Sequence, residues 1–153
     1  MPQTNDEAEK EFDEFIKRTF KFEGEKGEIT TDTGGLTKYG ISKNANPDVD
    51  IENLTPEKAR EIYRQRYYNV LGDLSHLSKE SRIVAYDASV NHGPGFAKKM
   101  IKKIGDNPEA MLKHRQDHYN HLALSDPAKY AKYHKGWTNR NEALRKEITK
   151  NKK

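Results

Sequence analysis

The chain has 153 residues, enough for one domain with a real hydrophobic core, and contains no cysteine, which excludes a disulfide framework, a thiolate metal site and a cysteine nucleophile. Apolar residues make up only 33% and charged residues 34%, a balance that leans toward disorder, yet Tyr, Phe and Ile recur at helical spacing and predict a folded domain with a strongly solvated surface. Lys and Arg outnumber Asp and Glu by 28 to 24, which suits an anionic partner without choosing among nucleic acid, a membrane surface and an acidic polymer.

The first twelve residues are polar and acidic, and no apolar run is long enough to span a bilayer, so neither a signal peptide nor a transmembrane segment is expected. Thr4-Asn5-Asp6-Glu7 has the form of a capping box, and Phe12, Phe15, Ile16 and Thr19 fall on one face. That pattern predicts a helix over residues 5–22, with Glu23 on its last turn and Gly24 as C-cap. Residues 29–31 and 36–39 are β-prone and read as a hairpin joined by Asp32-Thr33-Gly34-Gly35. Ser42 is placed to cap a short helix toward Ala45, which Pro47 ends. Thr55-Pro56 opens a helix running up to Gly72. Further helices are expected over 79–90, 96–104, 108–122, a short one to 133 opened by Asp126-Pro127, and 137–150, with the last residues frayed. Asn91 to Gly95 is the firmest break and sets the expected boundary between a lobe of residues 5–93 and a helical lobe of residues 94–150.

The unusual chemistry is concentrated in residues 22–42, FEGEKGEITTDTGGLTKYGIS. Gly34, Gly35 and Gly40 let the backbone fold sharply, bringing Asp32 and Thr37 back toward Glu23. A carboxyl at a helix end facing a carboxylate on a short hairpin is an arrangement that glycoside hydrolysis can use. On composition and spacing alone, though, a glycine-rich segment after a helix is more often only a turn.

Glu23-Gly24 followed by Asp32-Thr33-Gly34-Gly35-Leu36-Thr37-Lys38-Tyr39-Gly40-Ile41-Ser42 resembles the E-G-G…D-x-G-G-x-T-x-x-G-I-S/T pattern of glycoside hydrolase family 108, peptidoglycan N-acetylmuramidases that include many phage endolysins. Asp87-Ala88-Ser89-Val90-Asn91-His92-Gly93 and Gly136-Trp137-Thr138-Asn139-Arg140 are similar to two later blocks of that family, in the same order. The chain departs from the pattern at Glu25, where a second Gly is usual, and at Thr33, where Pro is frequent. Glu25 adds a charge near Glu23 that either raises the acid's pKa or points into solvent.

The resemblance implies a mainly α, lysozyme-like, bilobal fold with a small β-hairpin beside an active-site cleft, and a C-terminal lobe that is peptidoglycan-binding-like. It implies an endolysin hydrolysing the β-1,4 bond between N-acetylmuramic acid and N-acetylglucosamine. Glu23 would be the general acid, Asp32 would orient water or support the oxocarbenium-like charge, and Thr37 would hold that water. Tyr39, Asn91 and His92 are expected to contact substrate. No cofactor and no metal is expected. The partners are bacterial peptidoglycan and an anionic membrane met by the basic C-terminal helix, with no nucleic acid, for a monomer held in the host cytoplasm until a holin releases it to the wall.

Other residues carry weaker signals. His114, His118 and His121 share a helix face, which reads as a polar face ahead of a metal site. Asp87 is expected to be a buried partner for an Arg or Tyr, and Trp137 a core anchor braced by Arg140. Two other functions stay open: a lytic transglycosylase on the same substrate, and a basic helical nucleic-acid binder, whose basic residues here are interleaved with acids rather than gathered in a stripe. A wall-binding module without activity is a further reading, given Glu25.

Overall fold

The computed structural model describes residues 4–24, 27–32 and 35–150, and at Asp32 the backbone alone. Glu25, Thr33, Gly34 and residues 151–153 lie outside the described residues, and with them the expectations about the Glu25 charge and the frayed end. The described chain forms six α-helices and a three-stranded antiparallel sheet of order β1-β2-β3. It divides into two compact units, Met1–Val70 and Leu71–Lys153. That division falls earlier than the Asn91 to Gly95 break, because the helix before the break packs with the helices after it.

In the first unit, α1 (Asn5–Glu23) begins at Thr4, whose hydroxyl accepts the Glu7 N–H at 3.1 Å while the Glu7 carboxylate accepts the Thr4 N–H at 3.3 Å. These reciprocal bonds satisfy two donors that a helix start leaves without partners. The predicted stripe of Phe12, Phe15, Ile16 and Thr19 is buried. Phe12 and Phe15 pack against Tyr68, and Arg60 binds Glu9 at 2.6 Å and Asp13 at 2.9 Å while lying over the Phe12 ring. α1 is thereby fixed along its length before it delivers Glu23.

β1 (Thr30–Asp32) pairs with β2 (Gly35–Lys38) in the register Thr30 to Thr37, Thr31 to Leu36 and Asp32 to Gly35, as the hairpin pattern predicted. A third strand, β3 (Ile41–Ser42), was not foreseen. It replaces the expected short helix: Ser42 pairs with Thr37, and its hydroxyl accepts the Ala45 N–H in a turn that also carries the Asn46 N–H to the Ser42 carbonyl. α2 (Pro56–Tyr63) starts at the Thr55 cap, but the helix expected to reach Gly72 changes to a π stretch over Arg64–Tyr68 and a 3-10 turn over Asn69–Leu71. The wider turn carries Arg64 over both the Phe12 and Tyr68 rings.

The second unit holds α3 (Lys79–His92), α4 (Pro94–Ile104), α5 (Pro108–Ser125) and α6 (Pro127–Lys150). α6 is one continuous helix where two were predicted. A Cβ at Gly136 would meet nothing within 4 Å, so this glycine is neither a close-approach point nor a stop, and its helix cost of about 1 kcal/mol is carried by the turns on either side.

Three helices of this unit meet at one ion cluster. Asp87 of α3 is 3% exposed and receives Arg115 of α5 at 2.8 Å and Arg140 of α6 at 2.9 Å. Arg115 is fully buried, and it also donates to the Tyr119 hydroxyl at 2.9 Å and the Val84 carbonyl at 3.1 Å. Asp87 is thus the buried Arg partner expected from the sequence. Burial would raise its pKa, but the two guanidinium groups outweigh burial and hold it at about 2. Because the folded value lies below the unfolded one of about 3.9, this stabilisation is complete above about pH 5 and is lost as the pH falls toward 2. Asp87→Asn is expected to lower the unfolding free energy by about 3–5 kcal/mol, since two guanidiniums then face no charge. Urea denaturation at pH 7 followed by far-UV circular dichroism checks this.

Candidate active site

The site is built from the end of α1 and the small sheet, both in the first unit. Gly24 closes α1 with φ 127, a conformation open to glycine, and donates its N–H to the Phe20 carbonyl at 2.8 Å. Glu23, half-buried, is thereby the last side chain of a rigid helix. A second turn meets it. Lys38 pairs with Ile41, leaving Tyr39 and Gly40 as a two-residue loop with φ 52 and 79. Positive φ at both positions is what a type I′ hairpin requires.

Two contacts hold that loop against the helix. The Tyr63 hydroxyl donates to the Tyr39 carbonyl at 2.6 Å. A Cβ at Gly40 would lie 2.4 Å from the Glu23 Cβ and 2.6 Å from the Tyr63 hydroxyl, so the Gly40 backbone rests directly on the glutamate side chain. The Tyr39 ring packs on Phe20 with centroids 5.5 Å apart, and the backbone at Gly27 closes on its hydroxyl, 2.6 Å from where a Cβ would stand.

Between helix end and sheet lies a pocket of about 260 Å³. Glu23, Gly24 and Gly40 line it together with Glu28, Thr30, Thr37 and Tyr39. Thr30 and Thr37 are direct partners across β1 and β2. The Thr37 hydroxyl donates to the Gly35 carbonyl at 3.0 Å, which commits its proton and leaves its oxygen lone pairs to accept. Lys38 closes the edge, its ammonium donating to the Glu52 carbonyl at 3.2 Å.

Of the residues singled out in the sequence, Glu23, Thr37 and Tyr39 thus come together in one pocket. Tyr39 reaches it from a left-handed turn and not from the strand on which it was expected. Asp32 ends β1 opposite Gly35. Glu28 and Thr30 went unnoticed, whereas Gly40 was read as a turn residue and proves to be in contact with Glu23. Glu28 and Thr30 are two apart on an extended run, and the Thr30 to Thr37 pairing is the signal that would have exposed them.

Asn91 and His92 lie in the second unit. The Asn91 amide nitrogen is 3.2 Å from His92 Nε2 and 3.5 Å from the Tyr119 hydroxyl. His92 packs among Phe96, His118, Tyr119 and Trp137. Burial, then the Arg115 charge and His118, lower its pKa to about 3, so the ring is neutral near pH 7. Trp137 is only half-buried, stacked between Tyr119 and Tyr133 rather than set in the core, and Arg140 is directed to Asp87. His114 and His118 pack on the Phe96 ring, and among the described residues no group of three His, Cys, Asp or Glu is arranged to hold a metal ion.

The family model described as Glycosyl hydrolase 108 matches residues 16–93, just over half of the chain and the whole of the pocket described above. Among solved structures, SagA of Brucella abortus is similar with a TM-score of 0.70 and 24% sequence identity, over 92% of this chain and 94% of that one. At that identity the likeness speaks to the fold, which is the mainly α, lysozyme-like one with a small sheet that the sequence implied. Comparison with curated proteins returns no match.

Gly24 and Gly40 separate backbone strain from crowding. Both have positive φ, but a Cβ at Gly24 meets nothing within 4 Å. Gly24→Ala is expected to cost about 1 kcal/mol from conformation alone, and Gly40→Ala about 1–3 kcal/mol more, because Glu23 and Tyr63 must move; paired thermal melts measure the difference. His92 gives a pH signature. Its folded pKa lies below its unfolded value of about 6.5, so its stabilisation is full above that pH and declines as the pH falls toward 3. The midpoint of thermal unfolding is expected to start falling near pH 6.5, and to fall less steeply between about pH 6.5 and 5 in His92→Gln, where His114 and His118, whose pKa values are also lowered, still contribute.

Proposed function

We propose that this chain, which belongs to the glycosyl hydrolase 108 family and is a glycoside hydrolase acting on peptidoglycan, cleaves the β-1,4 bond between N-acetylmuramic acid and N-acetylglucosamine with Glu23 as its general acid. The observation that carries this reading is the placement of Glu23 at the end of α1, in a pocket that it lines together with the cross-strand pair Thr30 and Thr37.

In this reading Glu23 gives its proton to the glycosidic oxygen as the bond to the sugar carbon breaks. Asp32 is the second carboxylate, a role that rests on the family spacing and on its register place at the end of β1, opposite Gly35. It accepts a proton from water, or supports the positive charge on the ring, while the new carbon–oxygen bond forms. Thr37 holds that water by accepting a hydrogen bond, its own proton being committed to the Gly35 carbonyl. Tyr39, fixed by Phe20 and by Tyr63, lines the sugar subsite. Asn91 and His92 are assigned to substrate contact by the family pattern alone.

The wider setting belongs to the same proposal: a phage endolysin, monomeric, its second unit adding affinity for the wall. Among the described residues no helix is long and apolar enough to cross a membrane; release to the wall through a holin-made lesion is part of the same proposal.

Glu23→Gln keeps shape and removes the proton. It is expected to lower turnover of purified peptidoglycan by about 10²–10⁴-fold with an unchanged circular dichroism spectrum. A folded variant with wild-type turnover would remove Glu23 from its role. Wild-type digests are expected to carry new reducing-end muramic acid; 1,6-anhydro-muramic ends would instead mean a lytic transglycosylase.

A further inference from the structure

We propose that the outer face of α4 is a docking surface for an anionic lipid bilayer, held by Lys98, Lys99, Lys102 and Lys103. All four are exposed, and none has a carboxylate partner among the described residues. Spaced at i, i+1, i+4 and i+5, they fall along one side of the helix.

Most described lysines elsewhere, Lys129 and Lys132 among them, also lack a carboxylate partner; α4 differs in gathering four on one side of a helix that holds no acid. Arg60 is answered by Glu9 and Asp13, Arg66 by Asp48, and Lys113 by Asp117. α4, with the sequence PGFAKKMIKKI, contains no acid at all. Lys98 with Lys102 and Lys99 with Lys103 are like-charge pairs one turn apart, which oppose the helix. Lys102 and Lys103 are partly compensated by lying in the last turn, where the helix dipole favours cations. Lys98 and Lys99 lie earlier and have no such compensation. The next helix adds no relief: His114, the group of α5 that Lys103 influences, has its pKa lowered first by burial and then by that lysine. The cluster is left to water, salt or an anionic surface, and a surface carrying many anions gains from meeting all four lysines at once.

The chemistry of the face selects the partner. Ala97 and Met100 are fully buried within the unit, so the exposed side offers ammonium groups on flexible stems and nothing to insert between acyl chains. It has no aromatic ring between the lysines on which a base would stack, and no arginine fork, the features that mark single-stranded nucleic-acid grooves. A convex row of point charges matches a plane of headgroup phosphates, where such a cluster binds in proportion to the number of cations.

The face is proposed in addition to the basic C-terminal helix, the membrane contact expected from the sequence. There Arg145 is taken up by Glu109 and Glu142. The inference is independent of the catalytic assignment, and the experiment reads no turnover.

Flotation of the full chain with vesicles of phosphatidylglycerol and phosphatidylcholine, against phosphatidylcholine alone, tests it. The wild type is expected to float with the anionic vesicles only, and to be released by high salt. Each lysine is worth about fivefold in partitioning. The double variants K98Q/K99Q and K102Q/K103Q should therefore each lose about 25-fold and the quadruple variant more than about 100-fold, while K146Q/K150Q loses less. The proposal falls if the quadruple variant floats like the wild type, if neutral vesicles bind equally, or if K146Q/K150Q is the variant that detaches. It also falls if the same lysines are needed to retain DNA or purified wall polymer and vesicles are ignored.

Discussion

The contact of the Gly40 backbone with the Glu23 side chain is the constraint from which the candidate site follows. A glutamate at a helix end normally has a long, mobile side chain; here its first carbons are covered by a turn that only glycine can make at that distance. The turn exists because Lys38 and Ile41 pair closely enough to force a two-residue loop, and it stays because Tyr63 holds the carbonyl of Tyr39. One packing event thus couples α1, α2 and the sheet. It leaves the carboxyl end of Glu23 as the part still able to reach into the pocket.

The second unit is organised by a different kind of interaction. Asp87 and its two arginines tie together three helices, and the hydrogen bond from Arg115 to Tyr119 extends the order to the ring cluster around His92 and Trp137. The two later stretches of family resemblance, around Asp87 and around Arg140, therefore meet in space. Their chemistry at this point is that of a buried charge kept ionised, a structural task in its own right.

Much of this was legible in the residues. A capping box, a four-residue apolar stripe and a glycine stop are local signals, and α1 obeys all three. The β1 to β2 pairing followed from the β-prone runs flanking the glycines after Asp32, and the expected Arg partner of a buried Asp87 is present. What stayed hidden depends on contacts far along the chain. Tyr39 takes a left-handed conformation because Tyr63, 24 residues later, holds it there, and tyrosine is no sequence signal for such a turn. β3 has two residues, too few for any alternation to register. The π stretch and the continuity of α6 through Gly136 are settled by tertiary packing overriding local preference.

The length of α6 bears on how the chain is made. Leu144 and Ile148 are fully buried, and the second guanidinium that neutralises Asp87 belongs to residue 140. During synthesis α3, α4 and α5 emerge with a carboxylate half answered and an apolar seam still open. The helices of this unit therefore complete their packing only once the turns carrying Arg140, Leu144 and Ile148 have left the ribosome.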